Sequence, residues 1–151
     1  MKYNNSGFSL VELVMVLVVV GILSVSAMGL FASKSDFSAS LAKDQLISSV
    51  HLAQQRALAS HTTNPVMLDI TQTSKEWIFT VRQGTVSSNS QTAEHAGANL
   101  TIAGLSLPAS IEFSQSGSLA SGGDLSVTFT GETSHTVCIS SAGFAFPTAC
   151  P

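Results

Sequence analysis

The apolar positions of this chain fall into three regimes. The first, "GFSLVELVMVLVVVGILSVSAMGLFA" at residues 7–32, has Glu12 as its single ionisable residue. Residues 13–32 carry no charge, and about 20 apolar residues at ~1.5 Å each make a helix long enough to cross a bilayer. A carboxylate inside such a run costs roughly 2.5–3.5 kcal/mol at the helix centre and less near an end. Glu12 therefore needs an opposite charge.

The second regime, "SKSDFSASLAKDQLISSVHLAQQRALAS", is amphipathic. Ala39, Ala42, Leu46, Val50, Ala53 and Ala57 recur at steps of three or four and form one stripe. Phe37, Leu41 and Leu52 fall on a second face. Two apolar faces imply two packing partners, the chain's own domain and a second body; a helix sunk in one core is the alternative. No proline interrupts residues 8–60, which predicts a single helix of about 53 residues and ~80 Å. Pro65 sets its stop near residues 61–64.

In the third regime the period falls to two. "NPVMLDI" and "EWIFTVR", joined by "TQTSK", predict a hairpin in which Trp77, Phe79 and Val81 alternate with Ile78, Thr80 and Arg82. "QGTVSSNSQTAEHAGAN" is polar and without period, and is predicted as a long loop. Short strands are expected at "LTIAG", "SIEFS", "LSVTFT" and "TVCIS", with turns at "SGG" (121–123) and "GETS" (131–134). The class is α+β, a long N-terminal helix packed on a C-terminal antiparallel β-sheet domain.

Composition narrows the chemistry. Only 10% of the 151 residues are charged, against a usual ~25%. Net charge is −3, and from 62 to 151 Lys75 and Arg82 face six carboxylates. A phosphate-binding surface needs clustered Lys and Arg, so no nucleic acid partner is expected. His51, His61, His95 and His135 lack the grouped spacing of a zinc site, and Asp124 alone falls far short of a calcium shell. No nucleophile elbow, P-loop or dinucleotide fingerprint occurs, so no catalytic residue, metal or cofactor is expected. "NLT" at 99–101 fits the glycosylation pattern but needs a eukaryotic secretory route. Cys138 and Cys150 are an even pair in a membrane-anchored, exported domain, which favours a disulfide over a metal site; two separate buried thiols are the alternative. Phe144 and Phe146, if exposed, are candidate contacts for another subunit.

Three readings fit the N-terminus. A secretory signal has a 7–15-residue apolar stretch before its cleavage site, shorter than this run, although "VSA" at 25–27 could serve as the site. A plain transmembrane anchor explains the length but not Glu12. The third reading is a resemblance: "SGFSLVEL" resembles the type III leader of type IV pilins and type II secretion pseudopilins. In that family a prepilin peptidase cuts after the Gly, here Gly7, and the new N-terminal aromatic, here Phe8, is N-methylated. The fifth mature residue is a Glu, here Glu12. Cutting after Gly7 would create an α-amine on Phe8, and an amine and a carboxylate attract more strongly in low dielectric than in water. An unpaired buried charge is strongly unfavourable, so such a pair sets register more than it adds stability. Phe8 and Glu12 lie four apart on one helix face and could pair within a chain. The resemblance implies pairing between neighbouring subunits instead, and the sequence leaves both open. Pilins often carry a Pro at the position of Gly29 and a Gly at that of Gly21; this chain has Gly at both. Gly costs ~1 kcal/mol in a helix against Ala, which allows loosening between them.

"LAKDQLISSVHLAQQRALAS" and the later series "IEFSQSG", "LSVTFT" and "TVCISSAGF", with a turn at Gly143, resemble the GspH/FimT group of minor pilins and pseudopilins, and within it the MSHA-type minor pilins. The resemblance implies a lollipop fold in four segments: leader 1–7, membrane and filament-core helix 8–32, amphipathic helix 33–61 and β-rich domain 62–151. It also implies a single-pass inner-membrane protein with its globular domain in the periplasm. The expected partners are other pilin or pseudopilin subunits through the N-terminal helix, prepilin peptidase, the inner-membrane assembly platform and membrane lipid. The implied role is a non-catalytic subunit that primes or tips a type IV pilus. Rival readings are a type II secretion minor pseudopilin, a major pilin, a FimT-like DNA-binding pilin, which would need a basic loop or tail, and an anchored periplasmic enzyme.

Overall fold

The computed structural model describes residues 9–28 and 34–151. The chain divides into two compact units, residues 1–33 and 34–151. In the first unit, α1 (Leu10–Met28) is a helix built almost wholly from Leu, Val, Ile and Met. Its large apolar side chains from Leu10 to Leu23 are all at least 49% exposed. Among the described residues no helix is long and apolar enough to cross a membrane. The uncharged run of the sequence continues past Met28 beyond the described residues, as does the expected continuity of the helix through 29–33.

The second unit holds α2 (Lys34–Ala59) and eight strands: β1 (Val66–Gln72), β2 (Glu76–Gln83), β3 (Val86–Glu94), β4 (Asn99–Ile102), β5 (Ala109–Phe113), β6 (Leu125–Thr130), β7 (Ser134–Ile139) and β8 (Ala145–Phe146). They form two four-stranded sheets, in the orders β3-β2-β1-β5 and β4-β6-β7-β8, with antiparallel pairing throughout. The antiparallel β-sheet domain expected from the sequence forms, as a pair of sheets sharing one core with α2. Ala39, Ala42, Leu46, Val50, Ala53 and Ala57, the stripe read from the sequence, are all buried. Four of the six are alanine, which lets strand side chains approach the helix closely. Trp77, Phe79 and Val81 of β2 fill the space from one sheet and Phe129 of β6 from the other. The rings of Trp77 and Phe79 meet that of Phe129 edge-on at 5.5 and 6.4 Å, the geometry aromatic quadrupoles favour.

The β1–β2 hairpin forms as expected, closed by the Thr73 N–H donating to the Glu76 carbonyl at 2.9 Å. The segment expected as a long loop does not: Val86–Glu94 is the nine-residue strand β3, paired to β2 with a bulge at Val81/Arg82. Only Ala93 of β3 is buried, so solvent replaces the core along most of its length and the strand has no apolar alternation to read. The outer face of this sheet carries a polar network instead. Arg82 pairs with Asp69 through Nε and donates from Nη1 to the Gly84 carbonyl at 2.9 Å; Ser110 donates to the same Asp69.

Candidate functional site

Gly7, Phe8 and Gly29, named from the sequence for cleavage, methylation and helix flexibility, lie outside the described residues. Glu12 is exposed in the first turn of α1, where unpaired backbone N–H groups favour a carboxylate. The Leu13 N–H donates to the Ser9 carbonyl at 3.1 Å, so helical bonding begins one residue after Phe8. Gly21 sits in mid-helix, and a Cβ built there meets nothing within 4 Å. Beside it the Ser24 hydroxyl donates to the Val20 carbonyl at 2.7 Å, a back-bond that competes with the helical ladder. An exposed apolar surface of this extent is of the kind that meets a membrane or another protein.

The second face of α2 stays open in the globular unit. Phe37 is 73% and Leu41 41% exposed, while Leu52 is half-buried against the core. Phe144 and Phe146, half-exposed, stand with ring centroids 6.5 Å apart beside the chain's end. The start of α2 is fixed by a tie with no sequence signal. Asp36 accepts the Thr133 N–H at 2.7 Å and the Thr133 hydroxyl at 2.9 Å from the β6–β7 turn. These two bonds hold its carboxyl below the usual value, with His135 acting the same way. Gly131 in this turn lies so close to α2 that a Cβ there would be 2.7 Å from the Ser35 carbonyl oxygen.

Cys138 and Cys150 form a disulfide with their Cα atoms 4.9 Å apart, tying the C-terminus to β7. Asp124 lies beside them, the one grouping of His, Cys, Asp or Glu ligands among the described residues. A disulfide has no thiolate to offer, and the Asp124 carboxylate accepts the Ser141 N–H at 2.6 Å, a turn cap. His95, half-buried, packs on Trp77 at a centroid distance of 5.6 Å. An open cleft of about 410 Å³ between the sheets is lined by Leu105, Glu112 and Asp124 among others and contains no histidine. Of the two cations in 62–151, Arg82 is engaged by Asp69.

Residues 2–28 match the family model described as the prokaryotic N-terminal methylation motif. The fold is similar to that of the Pseudomonas aeruginosa (strain PAO1) type IV minor pilin FimU, at a TM-score of 0.53 and 13% identity over 73% of this chain and 92% of that one. No curated protein matches the chain in sequence. An N-terminal methylation motif ahead of a pilin-type α+β domain defines a pilin-like protein. Motif and fold are each similar to those of type IV pilins and pseudopilins, and together they support membership of that superfamily.

Proposed function

We propose that the chain is a minor pilin, a structural subunit that primes or tips a type IV pilus of the MSHA kind. Prepilin peptidase cuts after Gly7, Phe8 is N-methylated, and the apolar helix holds the subunit in the bacterial inner membrane with residues 34–151 in the periplasm. During assembly the N-terminal helix leaves lipid for the company of other subunits, and Glu12 meets the positive terminus of Phe8 on a neighbour. The observation that carries this reading is the methylation motif over residues 2–28, placed directly ahead of a domain folded like a type IV minor pilin. The pilus reading is preferred to the secretion one because FimU, whose fold the domain shares, is a type IV minor pilin.

The test is the mass and N-terminal sequence of the mature chain. It should begin at methylated Phe8, and Gly7→Glu should leave a membrane-bound precursor seven residues longer. A native chain still beginning at Met1, or shortened past Ala27, would refute the reading.

A further inference from the structure

The two sheets present four outer edges, and three are short or partly covered. β5 is covered along its far half by Leu119 and Ala120, whose N–H donates to the Glu112 carbonyl at 2.9 Å. β4 is four residues long and ends in a turn that returns Leu105 to Ile102. β8 has two residues, is followed by Pro147 and is stapled by the disulfide. The fourth edge, β3, has nine residues, no Pro, Gly, Lys or Arg, and no charge before its last residue, Glu94. Long open edges are rare because they template pairing with another strand; of the devices that guard them β3 has the bulge opposite Val81/Arg82, which leaves residues 89–94 in regular register, and no proline or lysine.

The ladder phase shows which groups are free. The His95 N–H donates to the Lys75 carbonyl at 3.0 Å, so Trp77, Phe79 and Val81 share hydrogen bonds with Ala93, Gln91 and Asn89. Ser90 and Thr92, opposite Thr80 and Ile78, therefore point their backbone N–H and C=O away from the sheet. The Glu94 carbonyl takes the Ser38 hydroxyl of α2.

We propose that β3 is a self-association edge, at which two copies of this chain pair their β3 strands antiparallel about a two-fold axis at Gln91. In that register Ser90 of each copy lies opposite Thr92 of the other, and all their outward backbone groups find partners. The two Gln91 side chains face each other; Gln91 Nε2 already donates to the Ser48 hydroxyl of α2 at 3.4 Å, which leaves its Oε1 and second N–H for the facing amide, so the contact is self-complementary. A second copy fits better than a charged strand because residues 86–93 are neutral, and each Glu94 falls opposite Ser88 rather than another carboxylate. The result is one eight-stranded sheet. Asn89 and Gln91 also line the groove beside Ile47 and Leu52 of α2, which the partner strand would cover.

Cysteine scanning of the full chain in detergent tests this, since its own two cysteines are joined to each other. Under mild oxidation Gln91→Cys should give a disulfide-linked homodimer, because facing residues of a non-bonded pair lie about 4.5 Å apart at Cα. Asn89→Cys should not, since like positions would lie about 14 Å apart. Adding Ser90→Pro to Gln91→Cys should abolish the dimer while keeping a cooperative Trp77 unfolding transition, because that N–H bonds nothing within the subunit and the substitution removes only the exposed hydroxyl contact to Thr80. Equal cross-linking at 89 and 91, none at 91, or persistence with Ser90→Pro overturns the proposal. So does cross-linking of Gln91→Cys in cells to a different protein in place of a second copy.

Discussion

Gly143→Ala should be among the most damaging single-methyl changes available in this domain. Gly143 adopts φ +85°, and a Cβ built on it lies 1.9 Å from the Gly117 carbonyl oxygen, where real contacts stay beyond 3.0 Å. The positive φ alone costs an alanine about 1–2 kcal/mol. The overlap is with backbone, so the 114–118 and 140–144 turns must separate by about 1.1 Å, the difference between those two distances. That movement pulls on the Leu119 N–H bond to the Ser141 carbonyl at 2.9 Å and on the Gln54 amide bond to the Ala142 carbonyl at 3.1 Å. Losing one or two of these at ~1 kcal/mol each brings the total to about 2–4 kcal/mol, against a typical domain stability of 5–15 kcal/mol.

Trp77 is the only tryptophan and is fully buried, so its fluorescence follows urea unfolding of this unit without added labels. Gly122→Ala supplies the comparison. Its φ is +71°, with nothing within 4 Å of the added methyl, so it carries the backbone cost alone. The difference between the two variants isolates the close approach and should be about 1–2 kcal/mol, the worth of the bonds disturbed. If Gly143→Ala loses no more than Gly122→Ala, the turn contact contributes nothing and the reasoning fails.

Glu12→Val should leave leader cleavage and membrane insertion intact but reduce incorporation into filaments at least ~100-fold, since an unpaired buried charge costs about 3–5 kcal/mol; subunit counts in sheared pili read this, and unchanged incorporation contradicts it. The double variant Cys138→Ser/Cys150→Ser releases a cross-link of sequence separation 12 and should lose about 3 kcal/mol by the same urea assay. A reductant should then lower the midpoint of the wild type but not of the variant. The Thr133 bonds hold the folded Asp36 carboxyl below the ordinary carboxylate value, so its contribution is complete above that ordinary value and is lost as pH falls through the folded one. Asp36→Asn should flatten the acid limb of the midpoint–pH curve, and an unchanged limb would show that the tie to Thr133 adds no stability.

What could be read from the sequence follows the range of the forces involved. The alanine-rich stripe of α2 and the Trp77–Phe79–Val81 alternation are local consequences of facing a core, and both are buried as their spacing predicts. β3 escaped because its partner is β2 on one side and solvent on the other; nothing apolar repeats, and hydrogen bonding to a neighbour leaves no mark on composition. The Asp36–Thr133 tie and the Gly143–Gly117 approach join residues 97 and 26 positions apart. Each needs the topology before it has meaning. Gly143 and Gly131 are visible in the sequence only as turn glycines, whereas the structure shows them as points where no side chain fits.

The position of Glu12 permits an argument about why the chain would be cut where it is. Helix-end N–H groups offer a carboxylate about 0.3–1 kcal/mol at an exposed site. Burial of that carboxylate in an apolar run costs up to roughly 2.5–3.5 kcal/mol. The helix end alone therefore falls short, and a full positive charge must supply the rest. No Lys or Arg occurs between Lys2 and Lys34, so the chain itself can provide that charge nearby only by exposing a new amine. A cut after Gly7 places it at Phe8, one residue before Ser9, whose carbonyl opens the α1 ladder, and four residues before Glu12. A cut elsewhere would either strand the amine in the polar leader or remove part of the helix that carries the acid.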